Sequence, residues 1–324
     1  MKILKSVLVV TIVGLTTIFS SCVVAQEYPS RTIRIISPWA SGGPSDAIVR
    51  PLANKLAVVL GQPVIVESSP GANGMIGHEL VSRAKPDGYT VLMSHVGPMA
   101  ISPALEKNIR YDPIKSFEHV TLFTTQQLLL AVRPSLPIKT IKEFIDYAKK
   151  NPGMPYGSVG IGSTTHLAVE WLASEAGLQV NHIPYTGAGP FMTDMLGERI
   201  DFGFLALASF APYLAPPERV RPIALSTSIP SRLAPNTLPM ASVIEDFNIA
   251  SWYGFELPAG TPQAIVQRLS TEINSILREP DMVARLTSLG MDPGGGSPQE
   301  YSEKVRRELA LWASMVKKAG LSKK

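Results

Sequence analysis

Two glycine-rich loops in this chain have the residue types and spacing to hold an anion. In each, an apolar, β-rich run stops at glycines, and Ser, Thr or Asp then follows where a helix would begin. The loops contain Ser41, Gly42, Gly43 and Asp46 in the first case and Gly162, Ser163 and Thr164 in the second. A helix N-terminus leaves backbone N–H groups without partners and carries a partial positive charge. Each loop is therefore predicted to bind an anion without a charged side chain.

The composition of the loops favours a carboxylate as that anion. Neither loop carries Lys or Arg, which a phosphate would normally recruit. The glycine order of the second loop does not match the dinucleotide fingerprint, and Asn181-His182 stands where that fingerprint needs an acidic residue. No Lys follows the last glycine, so the loop is not a P-loop. Asp46 is predicted either to cap the first helix or to contact the ligand.

No catalytic or metal-binding constellation is present in the sequence. The five histidines lack a metal-ligand spacing such as H-E-x-x-H, and G-x-S-x-G is absent. Cys22 is the only cysteine, so the mature chain has no disulfide and no Cys nucleophile. The chain is therefore predicted to be no enzyme, with neither cofactor nor metal. His95 follows an apolar β-rich run at the end where a pocket would form.

The N-terminus has the pattern of an export signal. Lys2 and Lys5 precede the apolar run Val7–Ile18, and small residues before Gln26 predict cleavage near Ala25. Retention as a membrane anchor and lipid attachment at Cys22 are the alternatives. The expected location of the mature protein is the periplasm.

The charge distribution argues against nucleic-acid binding. The net charge is +4, and the basic residues are scattered rather than interleaved with aromatic side chains. The expected partners are a small-molecule ligand and no nucleic acid.

Strand-like and helix-like patterns alternate through the mature chain and predict an α/β protein. The expected strands are 32–37, 64–67, 90–94, 120–123, 128–132, 156–158, 180–183, 202–205 and 222–226. The expected helices are 46–60, 77–84, 141–150, 164–176, 191–196, 261–277 and 298–319. Because the two glycine loops lie in different parts of the chain, we predict two lobes. After a signal peptide of 1–25, lobe one is 26–128 plus 250–324 and lobe two is 129–249.

In order and spacing, the motifs along the chain resemble those of the Bug-type solute receptors of tripartite tricarboxylate transport systems. The matching pieces include Pro38-Trp39 with Gly42-Gly43 and Asp46, Pro70-Gly71-Ala72, Pro86-Asp87-Gly88-Tyr89-Thr90, Tyr156-Gly-Ser-Val-Gly-Ile-Gly-Ser163 with His166, His182-Ile-Pro-Tyr-Thr-Gly187, and Trp252-Tyr-Gly-Phe. Singly these motifs are weak, but together they cover nearly the whole mature length.

The resemblance implies a two-lobed, periplasmic-binding-protein-like fold with a ligand cleft between the lobes. It implies a monomeric receptor that captures a small carboxylate and delivers it to the subunits of a membrane transporter. By the same resemblance, the loops at 41–43 and 162–164 hold the ligand carboxylate. Trp39, Ser94, His95 and Thr186 would then select the rest of the ligand.

The sequence leaves the ligand and the output open. Ser41 stands where the family usually has proline, so the substrate class does not follow from the family name. Tricarboxylates, dicarboxylates, acidic amino acids and aromatic acids all remain candidates. A sensor that feeds a membrane signalling protein and an exported enzyme acting on a small acid are the alternative functions.

Overall fold

One long strand, β4, runs through both halves of the molecule and organises its sheet. The computed structural model describes residues 28–42, 44–318 and 320–321. Its strands are β1 (Ile33–Ser37), β2 (Val64–Ser68), β3 (Thr90–His95), β4 (Phe117–Val132), β5 (Met154–Ser158), β6 (Val180–Pro184), β7 (Phe202–Ala206), β8 (Arg221–Leu225), β9 (Ala250–Pro258) and β10 (Asp292–Gly295). The predicted signal peptide and Gly43 lie outside the described residues.

Helices cover both faces of this sheet. They are α1 (Pro44–Leu60), α2 (Met75–Ser82), α3 (Ser102–Leu105), α4 (Ile141–Lys150), α5 (Thr164–Ala176), α6 (Ala188–Leu196), α7 (Leu207–Phe210), α8 (Gln263–Ile276), α9 (Pro280–Ser288) and α10 (Pro298–Lys318). Short helical turns at Ala72–Gly74 and Gly97–Ile101 precede α2 and α3. None of the helices within the described residues is long and apolar enough to cross a membrane.

The sheet consists of two halves that share the long strand β4. The strand order is β2-β1-β3-β9-β4-β7-β5-β6, with β8 and β10 also paired to β4. The part of β4 up to Gln127 pairs with β9, and the part from Leu128 onward pairs with β7 and β8. The outer strands β1, β2 and β3 run parallel, as do β5, β6 and β7, whereas the central pairs are antiparallel. The two α/β units therefore meet at the middle of β4.

Alternation along β4 shows why helices cover both faces of the sheet. Successive side chains of a strand point to opposite faces. Leu128 and Leu130 belong to one buried cluster, which extends to Trp312 of α10, while Leu129 belongs to another, which includes Phe191 of α6. Both sets are buried, so this half of the sheet reads as a continuous apolar run.

The sequence predicts capping boxes at Thr140-Ile-Lys-Glu143 and Ser297-Pro-Gln-Glu300 and an N-cap at Thr261 before Pro262. The two capping boxes are confirmed. Thr140 and Glu143 form a capping box at α4, and Ser297 and Glu300 exchange the same two bonds at α10. The predicted cap at Thr261 is wrong. Its hydroxyl donates to the carbonyl of Pro258 at 2.7 Å, and Pro262 itself occupies the N-cap position of α8.

Several element predictions are corrected by the structure. The sequence pattern predicts separate strands at 120–123 and 128–132. They are one strand, since Thr124 is satisfied by pairing with β10 and donates to the carbonyl of Asp292 at 2.7 Å. Strand β10 itself, of sequence DPGG, has the composition of a turn and is not predicted. Helix α9 is also missed.

Candidate functional site

A cavity of about 340 Å³ lies where the two halves of the sheet face each other. It is bounded by the residues that follow β1, β3, β5, β6 and β7 and by the central parts of β4 and β9. Its lining comprises Trp39, Asn73, His95, Gly97, Gln126, Leu128, Ser251 and Tyr253 from the first half of the sheet, and Val159, Gly162, Ser163, Thr164, Thr165, Thr186, Gly187, Ala188, Leu205, Ala206 and Ser209 from the second. The ends of parallel strands are where α/β sheets bind ligands.

The second glycine loop presents the N-terminus of α5 to this cavity. Ser163 is the N-cap, and its hydroxyl oxygen accepts from the N–H of His166 at 3.2 Å. The same hydroxyl donates to the carbonyl of Gly160 at 2.7 Å. Gly162 has a φ of +76°, a left-handed conformation that favours glycine. The loop is therefore tied down by its own bonds.

The N–H of Gly162 is already used inside the protein. It donates to Nδ1 of His166 at 3.1 Å. The N–H groups of Thr164 and Thr165, in the first turn of α5, make no hydrogen bond to another described residue, as expected for a helix start. Thr164 is 7 % exposed and lines the cavity, and its hydroxyl has no partner among the described residues. These are the donors at the start of α5 that an anion can reach.

An aromatic stack supports the loop from behind. The rings of His166 and His182 are stacked with centroids 4.0 Å apart, and Tyr156 stacks on His182 at 4.8 Å. Burial lowers the pKa of both imidazoles to about 4, so both rings are neutral at neutral pH. The neutral His166 can therefore accept the Gly162 bond. Nε2 of His182 in turn lies 2.7 Å from Oγ of Ser158 in β5.

The first glycine loop is arranged differently. The N–H of Gly42 donates to a carboxylate oxygen of Asp46 at 2.8 Å, and Arg50 contacts the same oxygen at 3.0 Å. This backbone bond, followed by the contact with Arg50, lowers the pKa of Asp46. The hydroxyls of Ser41 and Ser68 lie 2.6 Å apart. Ser41, Gly42 and Asp46 are not among the residues that line the cavity.

The first half of the sheet contributes an aromatic wall instead. The rings of Trp39 and His95 meet edge to face with centroids 5.6 Å apart, and His95 lies 4.8 Å from Tyr253. The N–H of Gly97 donates to Nδ1 of His95 at 3.1 Å, so the ring proton of the neutral imidazole is on Nε2. Nε2 therefore donates to the hydroxyl oxygen of Ser251, and the two atoms are 2.9 Å apart. Burial lowers the pKa of His95 to about 3.

Ser94 is next to His95 in sequence but does not reach the cavity. Its side chain is fully buried on the opposite face of β3, where its hydroxyl donates to Glu256 at 2.6 Å. Tyr301 of α10 donates to the same carboxylate oxygen at 2.6 Å. The three side chains join β3, β9 and α10 within the core.

Of the predicted site residues, the structure brings Trp39, His95, Gly162, Ser163, Thr164 and Thr186 together around one cavity. Sequence reasoning did not single out Asn73, Gln126, Ser251 and Tyr253, which share that cavity. Tyr253 lies in the motif Trp252-Tyr-Gly-Phe, the only sequence signal that pointed near it.

The cavity is uncharged. None of its lining residues is Lys, Arg, Asp or Glu, and its titratable groups are His95 and Tyr253. Burial raises the pKa of Tyr253 to about 12, so both groups are neutral at neutral pH. Within the described ranges, no three His, Cys, Asp or Glu side chains are close enough to hold a metal ion. The chemistry on offer is hydrogen bonding from neutral groups together with apolar and aromatic contact.

The chain is similar in sequence and structure to known receptor proteins. The sequence profile described as "Tripartite tricarboxylate transporter family receptor" matches residues 48–321. The structure of the periplasmic binding protein BugD is similar, with 32 % sequence identity and a TM-score of 0.75. The similarity covers 92 % of this chain and 100 % of that one.

Two further similar structures contain small acids. R. palustris Rpa4515 with adipate has 29 % identity and a TM-score of 0.79, covering 92 % of this chain and 100 % of that one. MatC from Rhodopseudomonas palustris with bound malate has 28 % identity and a TM-score of 0.74, covering 89 % and 100 %. The two-lobed α/β fold expected from the sequence is thereby confirmed.

Proposed function

Because the chain belongs to the tripartite tricarboxylate transporter receptor family, we propose that it captures a small carboxylate outside the cytoplasm and delivers it to a membrane transporter of that type. The observation that carries this proposal is the set of unpaired donors at the start of α5, which face a cavity without charged side chains. The adipate and malate bound by the two similar R. palustris proteins support a carboxylate as ligand.

The chemistry of capture follows from the loop geometry. Thr164 and Thr165 line the cavity, and their N–H groups and the Thr164 hydroxyl have no partner among the described residues. A hydrogen bond to a charged group contributes about 1.5–3 kcal/mol. Three such bonds, together with the positive end of the α5 dipole, can offset the desolvation of one carboxylate. Gly162 and Ser163 act by fixing the loop.

We further propose that the lobes close on the ligand. Lobe one is 26–128 plus 250–324 and lobe two is 129–249, so that the crossing segments of β4 and β9 form the hinge. The ligand would touch donors of lobe two and the wall of Trp39, His95 and Tyr253 in lobe one only in the closed state. A ligand that binds both lobes shifts the population toward closure.

The remaining parts of the proposal concern the export, the oligomeric state and the activity of the protein. We propose that it is exported to the periplasm with cleavage near Ala25, acts as a monomer, and performs no reaction on its ligand. The family description supports the transport role. The membrane subunits of the transporter are the proposed partners.

A binding screen tests this function directly. The mature protein is titrated by calorimetry with mono-, di- and tricarboxylates, and its radius of gyration is measured by small-angle scattering with and without the best ligand. We expect saturable binding, a smaller radius with ligand, and an unchanged ligand by mass spectrometry. Folded protein that binds no carboxylate would contradict the proposal, and turnover of the ligand would point to an enzyme.

A further inference from the structure

The cavity discriminates among carboxylates through the groups that it lacks. An α-ammonium group is costly to desolvate unless a carboxylate or several acceptors meet it. The lining offers no Asp or Glu, and Asp46 faces Gly42 and Arg50 outside the cavity. An ammonium group in the cavity would meet only neutral acceptors, such as the side-chain amide oxygens of Asn73 and Gln126, which disfavours amino acids.

Within the described residues, the unpaired backbone donors that line the cavity belong to the second glycine loop. In the second loop, Thr164 is 7 % exposed and lines the cavity, and its hydroxyl has no partner among the described residues. In the first loop, Asp46 already occupies the N–H of Gly42. A second carboxylate would have to be held by neutral side chains of the opposite wall, without a helix N-terminus. The geometry favours a ligand with a single anionic group.

The opposite wall is suited to a flat, uncharged body. Trp39, His95 and Tyr253 form a connected aromatic surface, with centroid separations of 5.6 and 4.8 Å between neighbours. Aromatic side chains favour offset or edge contacts with further rings. Leu128, from the centre of β4, adds an apolar contact beside them.

Two polar groups on this wall have a hydrogen left to donate: the buried Nε1–H of Trp39, which has no partner among the described residues, and the hydroxyl of Ser251. Ser251 is 8 % exposed, lines the cavity, and accepts the Nε2 proton of His95 at 2.9 Å. Because its oxygen accepts from the imidazole, its own hydrogen is free to point at a ligand acceptor. Gly97 fixes the tautomer that makes this possible.

We propose that the ligand is an aromatic monocarboxylate. Its acid group lies at the start of α5, and its ring lies against Trp39 and Tyr253. Ser251 donates a hydrogen bond to an acceptor atom of this ligand. This inference rests on the proposed receptor function and names the class of acid within it. His95 is a positioning residue, which acts on the ligand through Ser251.

Calorimetry of the mature protein with matched pairs of ligands tests whether the ligand is an aromatic monocarboxylate. We expect 3-phenylpropanoate to bind at least about 100-fold more tightly than phenylalanine, which adds only the ammonium group. Benzoate should bind at least about tenfold more tightly than terephthalate, which adds a second carboxylate. Tighter binding of adipate, malate or citrate than of every aromatic monocarboxylate would overturn this inference but leave the receptor function standing. If no carboxylate binds to the folded protein, both fail.

Substitutions at Ser251 and Tyr253 test whether these side chains contact the ligand. Ser251→Ala should weaken binding of the best aromatic acid by about tenfold, whereas Ser270→Ala, in α8 outside the cavity, should not change it. Tyr253→Leu should weaken binding by at least about tenfold, while Tyr253→Phe retains the ring and most of the affinity. Circular dichroism establishes that each variant is folded. Wild-type affinity of folded Ser251→Ala and Tyr253→Leu would overturn the proposed contacts.

Discussion

The N–H of Gly162 donates to Nδ1 of His166, four residues further on, at 3.1 Å. This bond links the left-handed glycine of the loop to the first turn of α5 and takes one N–H away from any ligand. It also requires His166 to be neutral with its proton on Nε2. The loop is therefore held in its donor-presenting shape by a histidine that itself does not line the cavity.

Replacing His166 should loosen the loop and weaken binding. His166→Leu removes the acceptor for Gly162, and we expect about a tenfold loss of carboxylate affinity together with a lower melting temperature. His166→Asn is the matched variant, because its amide oxygen can take the position of Nδ1. Calorimetry should show affinity near wild type for Asn and reduced affinity for Leu. Equal affinities in the two variants would contradict the positioning role.

A side chain at Gly162 should interfere with contact between the lobes. A Cβ there would lie 2.6 Å from Cδ1 of Leu105 in α3, which follows β3 in the first half of the sheet, and φ is +76°. Gly162→Ala should lower stability by about 1 kcal/mol through backbone strain and also weaken ligand binding. Chemical denaturation and calorimetry measure the two effects separately.

Gly177 provides the control for this substitution. Its φ is +65°, and a Cβ there would meet no atom within 4 Å. Gly177→Ala should therefore lose stability without losing affinity. Leu105→Ala in the Gly162→Ala background should recover part of the binding, and a failure to do so would assign the loss to strain alone.

The bond between Tyr301 and Glu256 should stabilise the protein without affecting the ligand. Tyr301→Phe leaves a fully buried carboxylate with one donor fewer, and we expect the free energy of unfolding to fall by about 1–3 kcal/mol. The affinity for a carboxylate should not change, because neither residue lines the cavity. Urea denaturation with parallel calorimetry tests this. A large loss of affinity at unchanged stability would contradict it.

Acid should destabilise the fold through its buried histidines. Burial lowers the pKa of His78, His166 and His182 to about 4 and that of His95 to about 3. The unfolded chain takes up protons near pH 6.5, before the folded protein does. Stability is therefore complete above about pH 6.5 and falls as the pH drops toward 4.

Melting temperatures at pH 7, 6, 5 and 4.5 measure this dependence. Each fully protonated unfolded-state histidine contributes a slope of about 1.4 kcal/mol per pH unit. His166→Asn should flatten the curve between pH 6 and 4.5, because it removes one of the four groups. A melting temperature independent of pH over this interval would contradict the predicted protonation.

The sequence predicted the parts of the site that depend on neighbouring residues. The strand, glycine and N-cap pattern placed α5 from Thr164 to Ala176, as observed. The same pattern predicted a second anion site at Gly42, whose N–H the structure assigns to Asp46. The two loops share a sequence signature but differ in which N–H groups remain free. That difference depends on side-chain rotamers, which a sequence pattern does not encode.

The pairing of distant strands was decided only by the tertiary structure. Helix caps and glycine turns involve residues within about four positions of each other, so residue types predicted the caps at Thr140 and Ser163, although not the one at Thr261. Ser251 and His95 are 156 residues apart and meet because β9 returns between β3 and β4. The aromatic wall and its serine therefore exist only once the strand order is fixed. That order is set by burying both faces of the sheet, a property of the whole chain and not of any motif.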